Sequence, residues 1–162
     1  MKVWIARILV FAVFAVNMYC IICFIFLPGN YLNAYELIGV PGKAALQGIG
    51  VAFLMWNTTY PLVIVRPDKH RVLFLVVLAQ QIVGLLGETF ILLTLPGGHD
   101  VLASNITRFI IFDAAGLVLL TAAFFLSRKS AKERLKDKGA DQNSPGTHGT
   151  HGDGTHGDGC VP

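Results

Sequence analysis

The chain has 162 residues, of which 54% are hydrophobic and only 14% charged, with a formal net charge of +3. An average soluble domain contains about 25% charged residues, so the composition excludes an ordinary soluble globular protein. The basic residues that make up the net charge flank long apolar runs, which also argues against nucleic-acid binding. The composition is typical of an integral membrane protein.

Four apolar runs predict four transmembrane helices, because about 20 helical residues cross the hydrocarbon of a bilayer. The runs cover residues 8–27, 44–65, 72–95 and 106–126. The first run is longer than the apolar part of a secretory signal and lacks a small-residue cleavage site, so we interpret it as an uncleaved helix. The predicted fold is all-α, a four-helix transmembrane bundle within residues 1–128.

Basic residues predict the orientation of the bundle, since they remain on the cytoplasmic side of a membrane. They are Lys2 and Arg7 before the first helix, Arg66, Lys69 and Arg71 in the second link, and Arg128 with five further residues after the fourth helix. The other two links contain a single basic residue, Lys43. We therefore predict a multi-pass membrane protein with both termini cytoplasmic, in the bacterial inner membrane.

The link between the first two helices contains apolar and aromatic residues at helix-like spacing. Tyr31, Leu32, Tyr35 and Ile38 fall three or four positions apart. Tyrosine favours the headgroup region of a bilayer. Two interpretations stay open here: a short interfacial helical segment and an irregular loop with interfacial aromatics.

Two carboxylates and an arginine lie within the last two apolar runs. Helical rise places Glu88 and Asp113 each about 10 Å below the outer surface, with Arg108 nearer that surface. One interpretation is an acid–base or ligand-orienting pair in a pocket open to the outer face, with Arg108 binding an anionic group. The alternative is an intramembrane network of Arg108 and the carboxylates that fixes helix packing.

A layer of amide side chains is predicted nearer the cytoplasm. Asn17, Asn57, Gln80 and Gln81 lie about 12–14 Å from the cytoplasmic ends of three helices. Amides at one level in a membrane hydrogen-bond between helices, so we expect this layer to hold the bundle together. Gln81 also shares one helix face with Glu88, at spacings of three and four residues through a glycine.

The remaining chemical candidates are a cysteine pair and the C-terminal tail. Cys20 and Cys23 form a C-x-x-C inside the first helix, which we interpret as buried apolar packing. The tail, residues 129–162, is basic and then rich in glycine and histidine, and it is predicted to be disordered. His148, His151 and His156 are weak metal-ligand candidates; the alternative is a tail with no specific role. No cofactor is assigned.

The membrane portion resembles the small four-helix DoxX-like membrane proteins in its organisation. The resemblance is carried by FLPGNY at the end of the first helix, ELIGVPGKAALQGIG before and into the second, RPDKHR after it, and RFIIFDAAGLVLL in the fourth. It implies a four-helix bundle and, in part of that group, association with membrane redox or quinone-linked systems. It implies no catalytic residue.

Two functional hypotheses follow from the sequence. The first is a non-catalytic subunit or accessory of a larger membrane assembly, because the chain has no nucleophile, metal or phosphate motif. The alternative is a small membrane enzyme or a lipid- or quinone-binding protein that uses Glu88 and Asp113 near the outer face. Ion or proton transport along the same carboxylates is a third possibility. The expected partners are the lipid bilayer, other membrane subunits or a quinone or lipid ligand, and no nucleic acid.

Overall fold

The computed structural model describes the backbone of residues 2–142 and the side chains of residues 3–128. Within them, four helices are long and apolar enough to cross a membrane: Val3–Phe26, Gly39–Val65, Arg71–Thr94 and Asp100–Arg128. The all-α class and the count of four spans are thus confirmed. Residues 129–142 of the tail continue the helix of the fourth span, whereas the rest of the tail, with its predicted disorder and its candidate ligands His148, His151 and His156, lies outside the described residues.

The helices differ in their bounds from those that the apolar runs predict. They are α1 Lys2–Phe26, α2 Gly39–Asn57, α3 Tyr60–Val65, α4 Arg71–Thr94 and α5 Asp100–Gln142. The helices extend into polar sequence at both ends of the last span, because backbone hydrogen bonding does not stop where hydrophobicity does. We call the end with the start of α1 and the α3–α4 link the basic end. The opposite end, with residues 27–38 and 95–99, is the loop end.

The second span is broken, although the sequence predicted one continuous helix. Pro61 has no backbone N–H, and its ring clashes with the carbonyl four residues earlier in a regular helix. The helix therefore ends at Asn57 and restarts at Tyr60. At the break, Thr58 Oγ1 donates to the Met55 carbonyl at 2.7 Å and Thr59 Oγ1 donates to the Trp56 carbonyl at 3.1 Å. These two hydroxyls supply hydrogen bonds to carbonyls that would otherwise have no partner, because the hydrocarbon of a membrane contains no water.

The last span begins earlier than predicted, at Asp100 rather than residue 106. Gly98 has φ +94°, a left-handed conformation that glycine adopts without strain and that turns the chain into the helix. The Ala103 N–H donates to the His99 carbonyl at 2.9 Å. Asp100 lies in the first turn, where a negative charge interacts favourably with the helix dipole. Polar residues form this turn, so the apolar pattern missed it.

The first loop, residues 27–38, is compact and folds against the bundle. It contains two 3₁₀ turns, Pro28–Asn30 and Asn33–Tyr35. The buried ring of Phe24 contacts Tyr31 at a centroid distance of 5.6 Å, Tyr35 at 5.7 Å and Phe109 at 6.1 Å. Short helical turns with packed aromatics are closer to the first of the two interpretations of this segment. The loop therefore covers the loop end of the bundle.

The spans are arranged so that α1 packs against α5 and α2, α4 packs against α5, and α3 packs against both α1 and α4. The core cluster lies in the half near the basic end: Ala6, Val10 and Val13 of α1, Tyr60 and Val63 of α3, Phe74 and Val77 of α4, and Leu120 and Ala123 of α5. The second span contacts α4 mainly through α3, whereas α2 packs against α1. A gap between α2 and α4 remains in the other half.

The outward surface of the bundle is apolar. Trp4, Phe90 and Val118 are each about two-thirds exposed, and exposed large hydrophobic residues occur on all four spans. In water, so large an apolar surface would cause aggregation, whereas lipid chains solvate it well. The architecture is that of a multi-pass membrane protein.

Candidate functional site

An amide pair lies beside the break in the second span. Asn57 is buried, and its Nδ2 donates to the Phe53 carbonyl at 2.8 Å. Asn17 Nδ2, from α1, donates to Asn57 Oδ1 at 3.2 Å. The two predicted amides thus meet between helices, and the contact ties α1 to the end of α2 where the helix is interrupted.

A second set of hydrogen bonds joins the last two spans to α3. Gln81 is buried, and its Nε2 donates to Asp113 Oδ1 at 2.9 Å and to the Asp113 carbonyl at 3.2 Å. The Tyr60 hydroxyl donates to Gln81 Oε1 at 3.4 Å. The geometry orients the Asp113 carboxylate towards α4. Gln80 contributes less: its Oε1 lies 3.5 Å from Thr59 Oγ1, at the limit of a hydrogen bond.

Two glycines make room for these contacts. A Cβ atom at Gly84 would lie 2.7 Å from Asp113 Oδ2, and one at Gly116 would lie 3.0 Å from Gln81 Nε2. Any other residue at Gly84 would push the Asp113 side chain away. The close approach of α4 and α5 therefore depends on small residues at the level of the hydrogen bonds, as is common in membrane bundles.

These groups surround a polar cleft that also contains Glu88. The cavity measures about 60 Å³, room for a few water molecules. Its polar lining comes from Asn17, Asn57, Tyr60, Gln80, Gln81, Glu88 and Asp113, and its apolar lining from Phe53, Trp56 and Gly84. Glu88 is half-buried, and its Oε2 has no hydrogen-bond partner among the described residues. An unpaired carboxylate oxygen at the cleft is free to accept a hydrogen bond.

The predicted separation of carboxylates and amides into two layers is replaced by this single cleft. Because α5 begins at Asp100 and not at residue 106, Asp113 lies about 20 Å from the start of its helix, whereas the sequence predicted about 10 Å. It is therefore level with Gln81, whereas Glu88 lies nearer the loop end of α4. The two carboxylates occupy different depths but line one cavity.

Arg108 does not join them. It is exposed and lines a separate surface hollow with Ala34, Asp100 and Ser104. Within residues 3–128, no salt bridge links Arg108 to Glu88 or Asp113. The reason is helical geometry: five positions on an α-helix turn through about 500°, which leaves Arg108 about 140° from Asp113 around the axis. Both side chains cannot face the centre of the bundle.

Tyr60 was not recognised from the sequence as a residue of the cleft, and Tyr35 was placed only in the interfacial segment. Tyr60 is buried and stacks on Phe14 at a centroid distance of 5.9 Å. A proline inside an apolar run signals a helix break, and Pro61 directly follows Tyr60. Tyr35 covers the loop end: burial raises its pKa to about 12, a hydrogen bond with Asn105 opposes that shift, and the nearby charge of Glu88 adds to it. The first loop thus lies close to Glu88.

The first loop is held to α5 by a contact that the sequence did not predict. Glu36, in a left-handed conformation at φ 52°, accepts hydrogen bonds from the His99 imidazole and from the Leu102 N–H, the latter at 3.3 Å. Leu102 is in the first turn of α5, so the Glu36 carboxylate caps this helix although Glu36 belongs to a distant segment of the chain. The hydrogen bond from His99 lowers the pKa of the Glu36 carboxyl.

The cysteine pair lies near the loop end of α1, not in its middle. Cys23 is buried, Cys20 is half-buried, and both are free thiols. Both cysteines line a small cavity of about 80 Å³ together with Tyr31 and Tyr35. Across residues whose side chains are described, no group of three or more histidine, cysteine or acidic residues could hold a metal ion.

Comparisons of the chain with protein-family models, with curated proteins and with solved structures found no match. The fold defines a multi-pass membrane protein with four spans.

Proposed function

We propose that this protein binds an amphipathic ligand that carries a hydroxyl headgroup, with Glu88 and Asp113 as the acceptors. The observation that carries the proposal is the buried, unpartnered Oε2 of Glu88 at a cleft that already holds a second carboxylate. The unpartnered oxygen of Glu88 keeps acceptor lone pairs whatever its protonation state, so a ligand can supply the donor. A hydroxyl is the neutral donor that fits.

The size of the cleft limits what can enter it. Enclosed ligand sites usually measure about 300–1,000 Å³, whereas this cavity measures about 60 Å³. The cleft can therefore take a headgroup oxygen but not a whole ring or chain. Trp56, which is 43% exposed, forms part of the wall, so the cleft reaches the lipid-facing surface. The apolar body of the ligand would lie there, in the gap between α2 and α4.

Among hydroxyl-bearing amphiphiles, a quinol is the class that the DoxX-like resemblance favours. Its ring carries hydroxyl donors and its tail is apolar, which matches acceptors in the cleft and lipid-facing rings beside it. Gln81 would act as a positioning residue, because it holds the Asp113 carboxylate at 2.9 Å. The membrane in which this takes place is, in the proposal, the bacterial inner membrane.

A second candidate is the non-catalytic accessory subunit. Gly48 of α2 and Gly87 of α4 are exposed, and a Cβ atom at either position would meet nothing within 4 Å. Exposed glycines on spans allow a helix of another protein to approach closely. This role and ligand binding at the cleft are compatible, but they predict different sensitive residues.

Fluorescence of Trp56 tests ligand binding. The chain has two tryptophans, so a Trp4→Phe background leaves Trp56 as the reporter beside the cleft. A short-chain quinol titrated into the detergent-purified protein is expected to quench it saturably. Glu88→Gln should weaken binding about 10- to 100-fold. A hydrogen bond to a charged group contributes about 1.5–3 kcal/mol, which corresponds to this change in affinity.

Asp100→Asn is the matched control, because Asp100 lies outside the cleft at the start of α5. It should leave the quinol affinity unchanged. Unaltered affinity in a folded Glu88→Gln protein would reject the cleft as the binding site. A partner protein that co-purifies with the wild type and is lost in Gly87→Leu, but retained in Glu88→Gln, would favour the accessory role instead.

A further inference from the structure

A second polar feature lies at the basic end, far from the cleft. Arg7 is on the second turn of α1, and its Nη2 donates to the carbonyl of Val65, the last residue of α3. A cation at the C-terminus of a helix interacts favourably with the helix dipole and with carbonyls that have no partner in the helix. The contact fixes the guanidinium between the first two spans.

The guanidinium lies beside a surface hollow of about 400 Å³. The hollow is lined by Trp4, Arg7, Ile8, Phe11, Ile64 and Val65. Of these six described residues, Arg7 alone carries a charge. Trp4 is 67% exposed, and Ile8 and Phe11 are each 55% exposed, so the walls face the lipid. The hollow is thus an apolar groove with one cation at its head.

The hydrogen-bonding capacity of Arg7 is only partly used. A guanidinium has five N–H donors, and the described contacts of Arg7 consist of one bond to Val65. Its Nε is buried without a hydrogen-bond partner. No carboxylate among the lining residues competes for it, unlike the hollow of Arg108, where Asp100 forms part of the wall. The charge at the head of this groove is available to an anion.

We propose that this hollow binds an anionic phospholipid, with the phosphate at Arg7 and an acyl chain along Ile8 and Phe11. Basic pockets between spans on the cytoplasmic side bind anionic headgroups, and the basic end is the one predicted to be cytoplasmic. Trp4 lies about one turn from Arg7, at the depth where tryptophan favours the headgroup region. Arginine recognises phosphate through paired N–H donors, which makes it more specific than a general surface charge.

Lipid-dependent stability tests the proposal. The full chain is purified in neutral detergent, and its melting temperature is measured with phosphatidylglycerol or phosphatidylcholine of identical chains. Phosphatidylglycerol is expected to raise the melting temperature of the wild type more than phosphatidylcholine does. Arg7→Gln should abolish that difference, while Arg108→Gln, an exposed arginine at the loop end, should preserve it. Native mass spectrometry should show one retained phosphatidylglycerol in the wild type and none in Arg7→Gln.

Arg7→Gln also removes the contact with Val65, so a second variant is needed. Ile8→Trp leaves Arg7 in place and fills the groove with a larger side chain, and it too should abolish the difference between the lipids. Glycerol phosphate, which has no acyl chain, should raise the melting temperature far less than the lipid. Equal effects of the two lipids on the wild type, an unchanged difference in both groove variants, or full stabilisation by glycerol phosphate would overturn the proposal.

Discussion

At the scale of single residues, the cleft depends as much on missing side chains as on polar ones. Gln81 reaches Asp113 because neither Gly84 nor Gly116 carries a Cβ atom. The amide–carboxylate contact lies inside the bundle, so its loss would leave two polar groups without their protein partner. The glycines are therefore part of the site, although they bind nothing.

Substitution of Gly84 by alanine should destabilise the protein. The new Cβ would lie 2.7 Å from Asp113 Oδ2, and overpacking of this kind costs about 1–3 kcal/mol. Gly87→Ala is the matched control on the same helix, because its Cβ would meet nothing within 4 Å. Alanine favours the helix by up to about 1 kcal/mol over glycine, so the control should be neutral or more stable. The free energy of unfolding in mixed micelles measures both, and equal values for the two variants would contradict this account of Gly84.

At the scale of elements, the breaks and ties between helices position the site. The interruption between α2 and α3 brings the Tyr60 hydroxyl to Gln81, and the early start of α5 brings Asp113 to the same level. The tie between Glu36 and the start of α5 holds the first loop over the loop end. Each of these features arises where a helix begins or ends.

The tie predicts how stability at the loop end depends on pH. Because the pKa of Glu36 is lowered in the folded protein, its contribution is complete above the ordinary value of about 4.3 and is lost as pH falls through the lowered value. Amide exchange at Leu102 should therefore accelerate in the wild type only at strongly acidic pH.

Glu36→Gln should accelerate that exchange already at neutral pH and flatten its acid dependence. His99→Ala removes the donor on which the lowered pKa of Glu36 depends, so the loss should begin at higher pH than in the wild type. Asp100→Asn preserves the Glu36 contact and should retain the wild-type acid profile. Identical exchange of Leu102 in the wild type and Glu36→Gln across this range would show that the tie contributes nothing.

At the scale of the whole molecule, the core cluster and the polar cleft lie at different levels of the bundle. The core cluster lies near the basic end, whereas the cleft lies in the half where α2 and α4 are apart and where Phe24, Leu46 and Ile106 are also buried. The packed helices provide a rigid frame for a site that opens to lipid. The basic residues at the packed end predict which side of the membrane each half faces.

Reporter fusions test that orientation. A fusion after Gln142, the end of α5, should report the cytoplasmic side, and one inserted at Gly98 should report the opposite side. The expectation follows from basic residues on the α3–α4 link and after the fourth span. A fusion at Gly98 that reports the cytoplasm would reverse the orientation, and fusions that report the same side would contradict the four-span topology.

The number of spans, and the polar residues that lie in them, could be predicted from the order of residue types along the chain. Both are local properties, since a run of about 20 apolar residues spans a bilayer wherever it occurs in the chain. Gln81, Glu88 and Asp113 were recognisable because a polar group inside such a run stands out. The residue types alone therefore predicted which polar side chains lie within a span.

Which of these polar groups contact each other could not be predicted without the packing of the helices. The level of Asp113 depends on where α5 begins, and that start is formed by polar residues and a left-handed glycine outside the apolar pattern. Arg108 is separated from Asp113 by rotation about the same helix, although depth alone had placed them together. The tie from Glu36 to His99 joins residues far apart in the chain. Relative register and rotation of helices arise from packing between distant segments, which no local pattern of residues contains.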